Sequence, residues 1–409
     1  MKKRFLSIFL ATTVVTTSLL TGCSSGSGKE DASGKTKVNV WAMGDEGKRL
    51  PEMVASFEKE HKNIDIEVQS IPWDQAHDKL LTAVASGKGP DIVQMGTSWM
   101  PEFADAGVLS DLSKYVEKYP NLNPDNFYEG ALQSTKYKDK MVGIPWYIES
   151  RVLYYRKDLA KQVGYDKPPK NWDEFLDISK KLSARGDNLY GIDMNLKDQF
   201  FATTYAWQNG WKFDNANPKF NTKEFKETIK YLKQFYDGGL TPKKSDMDIV
   251  QAFKEGILPM FISGPWITKP LKEANIEGEW GVATLPGNKT NTSFMGGSNL
   301  VLFENSKNKD KAVEFISYMA DEKNQMKWLE ISDCLPSTKA AWENDALSKD
   351  EILSVYKEQI NNTNASPMLK EWESIAQELN ATLEKIFVGG EDANKALGEL
   401  DKKVESMMK

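Results

Sequence analysis

Three short apolar runs, VNVW from Val38, IDIEV from Ile64 and PDIVQM from Pro90, alternate with helical spacing through Leu50 to Glu60 and Leu80 to Ala85. Strand, helix, strand, helix, strand packs as an α/β unit with a largely parallel sheet, because each crossover lays a helix on a sheet face. In such sheets ligands collect beyond the carboxyl ends of the strands. Gly44 and Asp45 follow the first run, and Gly96, Thr97 and Ser98 follow the third, so both loops are expected to wall a site.

A second series begins after the extended segment Val142 to Pro145. LYYR around Tyr154, YGIDM from Tyr190, ILPMFIS from Ile257 and the stretch Trp280 to Thr284 are expected strands. Asn171-Trp172-Asp173-Glu174 reads as a capping box, in which Asn171 takes an orphan amide and Glu174 reaches back, opening a helix to Ala184. TKEFKETIKYLKQFYDGG has helical spacing with a stop at Gly238, and the polar loop Gly287 to Ser293 leads into the strand SNLVLF. The C-terminal part is mostly helical, over Lys309 to Met319, Glu322 to Ile331, Asp350 to Ile360, Leu369 to Ile386 and Glu391 to Met408. The chain of 409 residues exceeds one compact core, and two α/β units with a helical tail accommodate it.

Lys2, Lys3 and Arg4 precede an apolar run from Phe5 to Leu20, the pattern of a signal peptide, too short and Thr-rich for a comfortable transmembrane helix. The run closes on Leu20-Thr21-Gly22-Cys23, which resembles the bacterial lipobox. That resemblance implies removal of residues 1–22, acylation of Cys23 and anchorage to the outer side of the cell membrane, with residues 23–37 as a flexible tether. Cleavage would take the formal net charge from -6 to -9, which excludes a nucleic-acid binder on charge grounds. The other cysteine is Cys334, so no intramolecular disulfide is expected, and His61 and His77 without Cys/His spacing give no metal site. No cofactor is expected either. Twelve tryptophans in a hydrophilic chain are either core or a surface for a flat apolar ligand.

Residues 144–159, IPWYIESRVLYYRKDL, resemble the hinge and following strand of extracellular solute-binding proteins of the sugar class. VNVWAMGDEG, SGKGPDIV, KNWDEF, FKEGILPMFISGPW, WGVATLPG and GGSNLVLF resemble the family's further segments in the same order. The resemblance implies a two-lobe periplasmic-binding-protein-like fold of type II, each lobe a mainly parallel sheet flanked by helices. It places lobe 1 at 38–147 and 297–333 and lobe 2 at 148–294 and 336–409. It further implies closure on a ligand and delivery to the permease of an ABC importer, by a monomer.

A sugar offers hydroxyls at its edge and a mildly apolar C–H face, so its site needs acceptors and aromatic faces. By the resemblance Asp45 is a buried acceptor after the first strand, and Glu46 stands where maltose-type members carry lysine. Glu149 matches a hydroxyl-binding glutamate, with an ion pair to Arg151 as its alternative, and Trp266 matches a stacking tryptophan. Trp372 falls where a second stacking aromatic is expected, with packing as its alternative. Thr97, Ser98 and Trp99 replace the maltose-type Asp-Arg pair, while Asp198 and Phe200 keep an acceptor and an aromatic face. Trp146 and Tyr147 occupy the first hinge and are expected to line the cleft; Gly296 and Gly297 at the second let the backbone approach ligand. Trp207 and Trp211 share a helix face, which favours core, and Trp73, Trp280, Trp328 and Trp342 are assigned to packing. The rival to a binding receptor is a surface-anchored glycoside hydrolase, since Asp45, Glu149 and Asp198 are carboxylates. Against it, the chain shows no nucleophile elbow and no metal set. An adhesin or signalling ectodomain would leave two hinges without a purpose.

Overall fold

Val38, Val40 and Ala42 alternate into one apolar layer while Met43 and the half-buried Trp41 face another, so the first strand is covered on both sides. The computed structural model describes residues 34–244 and 247–409, with β1 at Thr36–Met43, β2 at Ile64–Ile71 and β3 at Ile92–Gly96. β1 pairs in parallel with both β2 and β3, as the alternating runs predict. Helices α1 (Gly44–Glu60) and α2 (Trp73–Ser86) make the crossovers. α1 starts at Gly44 rather than Leu50. Gly44 takes φ +57°, which turns the chain straight out of β1 and places Asp45 and Glu46 in the first turn, where the helix dipole favours acids.

The strands that follow are β4 (Ile144–Ser150), β5 (Val152–Arg156), β6 (Met260–Ser263), β7 (Trp280–Ala283), β8 (Ser293–Leu302), β9 (Leu335–Pro336) and β10 (Thr363–Ala365). The first sheet has the order β9-β4-β8-β3-β1-β2, with β10 against the start of β8. β8 runs antiparallel to both β3 and β4. Only Arg151 separates β4 from β5, which enters a second sheet between β6 and β7, antiparallel to both. The expectation of a mainly parallel sheet in each lobe therefore needs correcting: the first sheet is mixed and the second antiparallel. Leu153 and Tyr155 are buried in one cluster and Val152 and Tyr154 in another, and a strand covered on both faces reads the same whichever way its neighbours run.

YGIDM is not a strand. Gly191 packs so closely on Ser179 that an added Cβ would lie 2.2 Å from its carbonyl oxygen, and the segment keeps a single bridge, Asp193 to Phe261. The capping box forms with one shift: Asn171 accepts from the Glu174 amide at 2.9 Å, while Glu174 accepts from the Lys170 amide at 2.8 Å. Helices α3 (Trp172–Ser183), α4 (Phe201–Gln208) and α5 (Lys223–Asp237) follow in the second lobe. Phe225, Ile229, Leu232 and Phe235 of α5 recur at helical spacing and are fully buried with Trp172, Trp207 and Trp211 in one aromatic-rich core. The C-terminal helices α6 (Lys309–Met319), α7 (Glu322–Ser332), α8 (Glu351–Ile360), α9 (Trp372–Phe387) and α10 (Ala393–Met407) lie within a few residues of their expected bounds. Among the described residues no helix is long and apolar enough to cross a membrane. Cys23 and the lipobox lie outside the described residues.

Candidate ligand-binding cleft

Where β4 hands over to β5, a cavity of 1080 Å³ opens between the two sheets. From the first sheet it is lined by the start of α1, by Pro72 and Trp73 after β2, and by Gly96, Thr97, Ser98 and Trp99 after β3. These are the carboxyl ends of three strands, where α/β sheets leave room for ligands. From the second sheet come Asn195 to Phe200 without Leu196, then Trp266, Lys269 and Pro270; Tyr147, Glu149, Arg151, Phe294 and Gly297 form the floor.

Arg151 dominates the polar geometry. Its guanidinium donates to Glu149 Oε1 at 3.1 Å and, through Nε, to Asp198 Oδ2 at 3.4 Å. The same group lies 4.6 Å from the Trp266 ring centre and 5.7 Å from that of Phe294. Burial works against its charge, but the two carboxylates outweigh burial and hold its pKa above the ordinary arginine value. Glu149 is thus both a cleft residue and the partner of Arg151. Its carboxylate keeps free lone pairs for further donors.

Trp266 is 41% exposed, and its ring folds back over Gly264, where an added Cβ would fall 1.9 Å from Cζ3. Phe200 stacks on Phe294 at 3.6 Å and 13° and is itself buried. Glu46 lies deeper. Burial raises its carboxyl above the usual range even though the Tyr147 hydroxyl donates to it at 2.9 Å. Tyr147 in turn accepts from Gln94 Nε2 at 3.1 Å and from the Ser298 hydroxyl at 3.0 Å, so the ring is fixed from three sides.

Asp45, Glu46, Thr97, Ser98, Trp99, Tyr147, Glu149, Asp198, Phe200, Trp266 and Gly297 all line the cavity. Asp45 does so as an exposed side chain paired to Lys48 at 2.8 Å, not as a buried acceptor, because it sits on the outer first turn of α1. Three expected residues do not line it. Trp146 is buried in the first lobe and stacks on Trp328 at 4.8 Å, since alternation along β4 turns it away from Tyr147. Trp372 is fully buried against Phe200 and Phe213, taking the packing alternative. Gly296 is buried, and an added Cβ would fall 2.7 Å from Glu149 Oε1; Gly297, with φ +130°, is the one at the surface of the cleft. Conversely, Trp73 is not packing: it is 36% exposed and lines the cavity. The rule that singled out the loops after β1 and β3 applies equally to the end of β2 and would have found it. Trp328 and Trp342 are buried and Trp280 partly buried, as expected of packing residues. Among the described residues no cluster of His, Cys, Asp and Glu is arranged to hold a metal ion.

Two lobes joined by strands that cross between them, with a large lined cleft at the joint, define a hinged binding protein. Residues 52–355 match the family described as bacterial extracellular solute-binding protein, and the chain belongs to it. The galactooligosaccharide-binding protein of Bacillus subtilis is 26% identical, over 98% of this chain and 97% of its own. Among solved structures, the sugar-binding protein MalE of Xanthomonas citri superposes with a TM-score of 0.83 at 32% identity, covering 91% of this chain and 97% of its own. The substrate-binding protein Lmo0181 of Listeria monocytogenes, solved with cycloalternan, shares the fold with a TM-score of 0.84 at 24% identity, over 91% and 99% of the two chains.

Proposed function

We propose that this protein captures a carbohydrate, an oligosaccharide in particular, between its lobes and delivers it unaltered to the permease of an ABC importer. The observation that carries the proposal is the half-exposed Trp266 beside the Glu149–Arg151–Asp198 group: an aromatic face for C–H bonds next to charged partners for hydroxyls. The sugar ligands in the names of its relatives support it. Site residues are Asp45, Glu46, Thr97, Ser98, Trp99, Tyr147, Glu149, Asp198, Phe200, Trp266 and Gly297, with lobes at 38–147 plus 297–333 and 148–294 plus 336–409. The receptor works as a monomer held to the membrane by lipid at Cys23, which raises its effective concentration at the permease.

Calorimetry against a panel of oligosaccharides, with chromatography of the recovered ligand, tests this. Binding at micromolar or tighter affinity with intact sugar recovered is expected. Recovery of cleaved sugar would establish the hydrolase instead. Cys23→Ser should release the protein from the membrane fraction; retention there would refute the anchor.

A further inference from the structure

We infer that Glu373 is a latch between the lobes that works in its neutral form: its carboxyl shuts between the two walls of the cleft, and the lobes take up a proton there as they close. The latch does not depend on which solute is bound. Glu373 is the second residue of α9, whose Trp372, Ile375, Ala376 and Leu379 are buried in the core of the second lobe. Against it lie Ser98, in the loop after β3 of the first sheet, and Gln199, on the wall of the second lobe. Ser98 and Gln199 line the same cavity from opposite sides, so opening the cleft would draw them apart and let water reach the carboxyl between them.

This seam is short of donors. Glu373 Oε1 and Gln199 Oε1 are both buried without a hydrogen-bond partner. An ionised carboxylate only accepts and deepens that shortage, whereas a protonated one carries an O–H. The basic groups nearby are engaged elsewhere. His77 Nε2 on α2 lies 2.7 Å from Glu102 Oε2, and Lys370, just before α9, donates to Asp105 at 3.3 Å and lies 3.9 Å from Glu371. Asp105 ends the short helix Met100–Asp105 after Trp99, so the Lys370 bond also ties one lobe to the other. Asp198, beside Gln199, is held by Arg151. Burial raises the Glu373 carboxyl above the usual glutamate range; the Ser98 and Gln199 side chains and His77 work against the rise, and Glu102 adds to it.

Glu46 is also raised by burial, but its bonded partner Tyr147 lies in the same first sheet, so lobe motion leaves that bond in place. Glu373 is enclosed by both lobes. In an opened cleft its carboxyl returns to water and to the ordinary range, so the closed form holds the proton more tightly. Acid therefore favours closure. The closed-to-open ratio falls as pH rises from the ordinary glutamate range through the raised closed value, by at most about tenfold per pH unit, and levels off above it.

Small-angle X-ray scattering of the unliganded protein from about pH 4.5 to about pH 7.5, resolved into open and closed contributions, reads the latch without any ligand. The wild type should shift from closed toward open as pH rises. Glu373→Gln keeps the neutral shape at every pH, so it should hold the wild type's acid-side ratio throughout and lose the response. Glu373→Ala has no latch and should lie nearer the open form at both ends of the range. A wild-type ratio that does not move with pH would overturn the inference, as would a Glu373→Gln protein that follows pH as the wild type does. Neither result bears on which solute binds, which the oligosaccharide panel decides separately.

Discussion

Each lobe presents one exposed tryptophan to the cleft, Trp73 on the first and Trp266 on the second, and the two are positioned by different means. On the first lobe, parallel strands deliver their loops side by side, and the backbones of Gly44 and Gly96 close on Trp73. On the second, β6 pairs with an antiparallel strand and has only the isolated Asp193–Phe261 bridge running parallel, so no parallel strand aligns the loop after it. Tyr154 fixes it instead: its hydroxyl donates to the Gly264 carbonyl at 3.1 Å and lies 2.8 Å from both the Thr268 and Tyr356 hydroxyls. Burial pushes the Tyr154 phenol up to about 12, so it stays a donor throughout the neutral range. Sheet geometry positions one indole and a hydroxyl network the other. The first arrangement should tolerate side-chain changes nearby that the second does not.

The largest effects should fall on the packed tryptophans. Trp146→Ala in the first lobe and Trp372→Ala in the second should each cost about 3–5 kcal/mol, lowering Tm by roughly 10 °C in calorimetry. A Trp372→Ala variant that keeps its Tm but loses ligand would return that residue to the site. Trp266→Ala should cut affinity roughly 100-fold while the unliganded Tm stays within about 2 °C, and a much lower Tm would make it a core residue. Tyr154→Phe leaves the Gly264 carbonyl and its neighbours short of a donor, costing about 1–3 kcal/mol of stability. It should weaken ligand binding several-fold through Trp266; unchanged affinity would erase the difference drawn between the lobes.

The smallest effect depends on pH. Folded Glu46 holds its proton more tightly than the unfolded chain does, so the folded state loses stability as pH rises from the ordinary glutamate range through the raised folded value. Glu46→Gln removes that loss. Its Tm should match wild type near about pH 4 and exceed it at pH 7, in a thermal scan across that window; a variant less stable than wild type at neutral pH would show that the charge is compensated.

Much of this was legible in the sequence, and the exceptions have physical causes. Periodicity locates most of the strands and helices because burial on one or both faces leaves a pattern, as in α5, but it also marks YGIDM, which is largely buried without being a strand. Strand direction leaves none, which is why the antiparallel pairing of β5 was not foreseen. Aromatic residues were the hardest to place: Trp146 and Tyr147 are adjacent, yet alternation sends one to the core and the other to the cleft. Trp73 lines the cleft and Trp372 takes its packing alternative for a similar reason. An indole suits either a core or a ligand face, and only the surrounding loops decide which. Arg151 stood in an apolar run as the alternative partner of Glu149, but its hold on Asp198 and Trp266 depends on segments far apart in the chain.

That Arg151 is the lone residue between β4 and β5 gives it a double task. Turning one lobe against the other at this crossing would change backbone dihedrals at or beside Arg151. The side chain carried on that pivot is the one gripping Glu149, Asp198 and Trp266. Angle and chemistry would then be geared together like a key and its lock cylinder: a swing at this joint would reset the charges and the aromatic plate that a solute would meet.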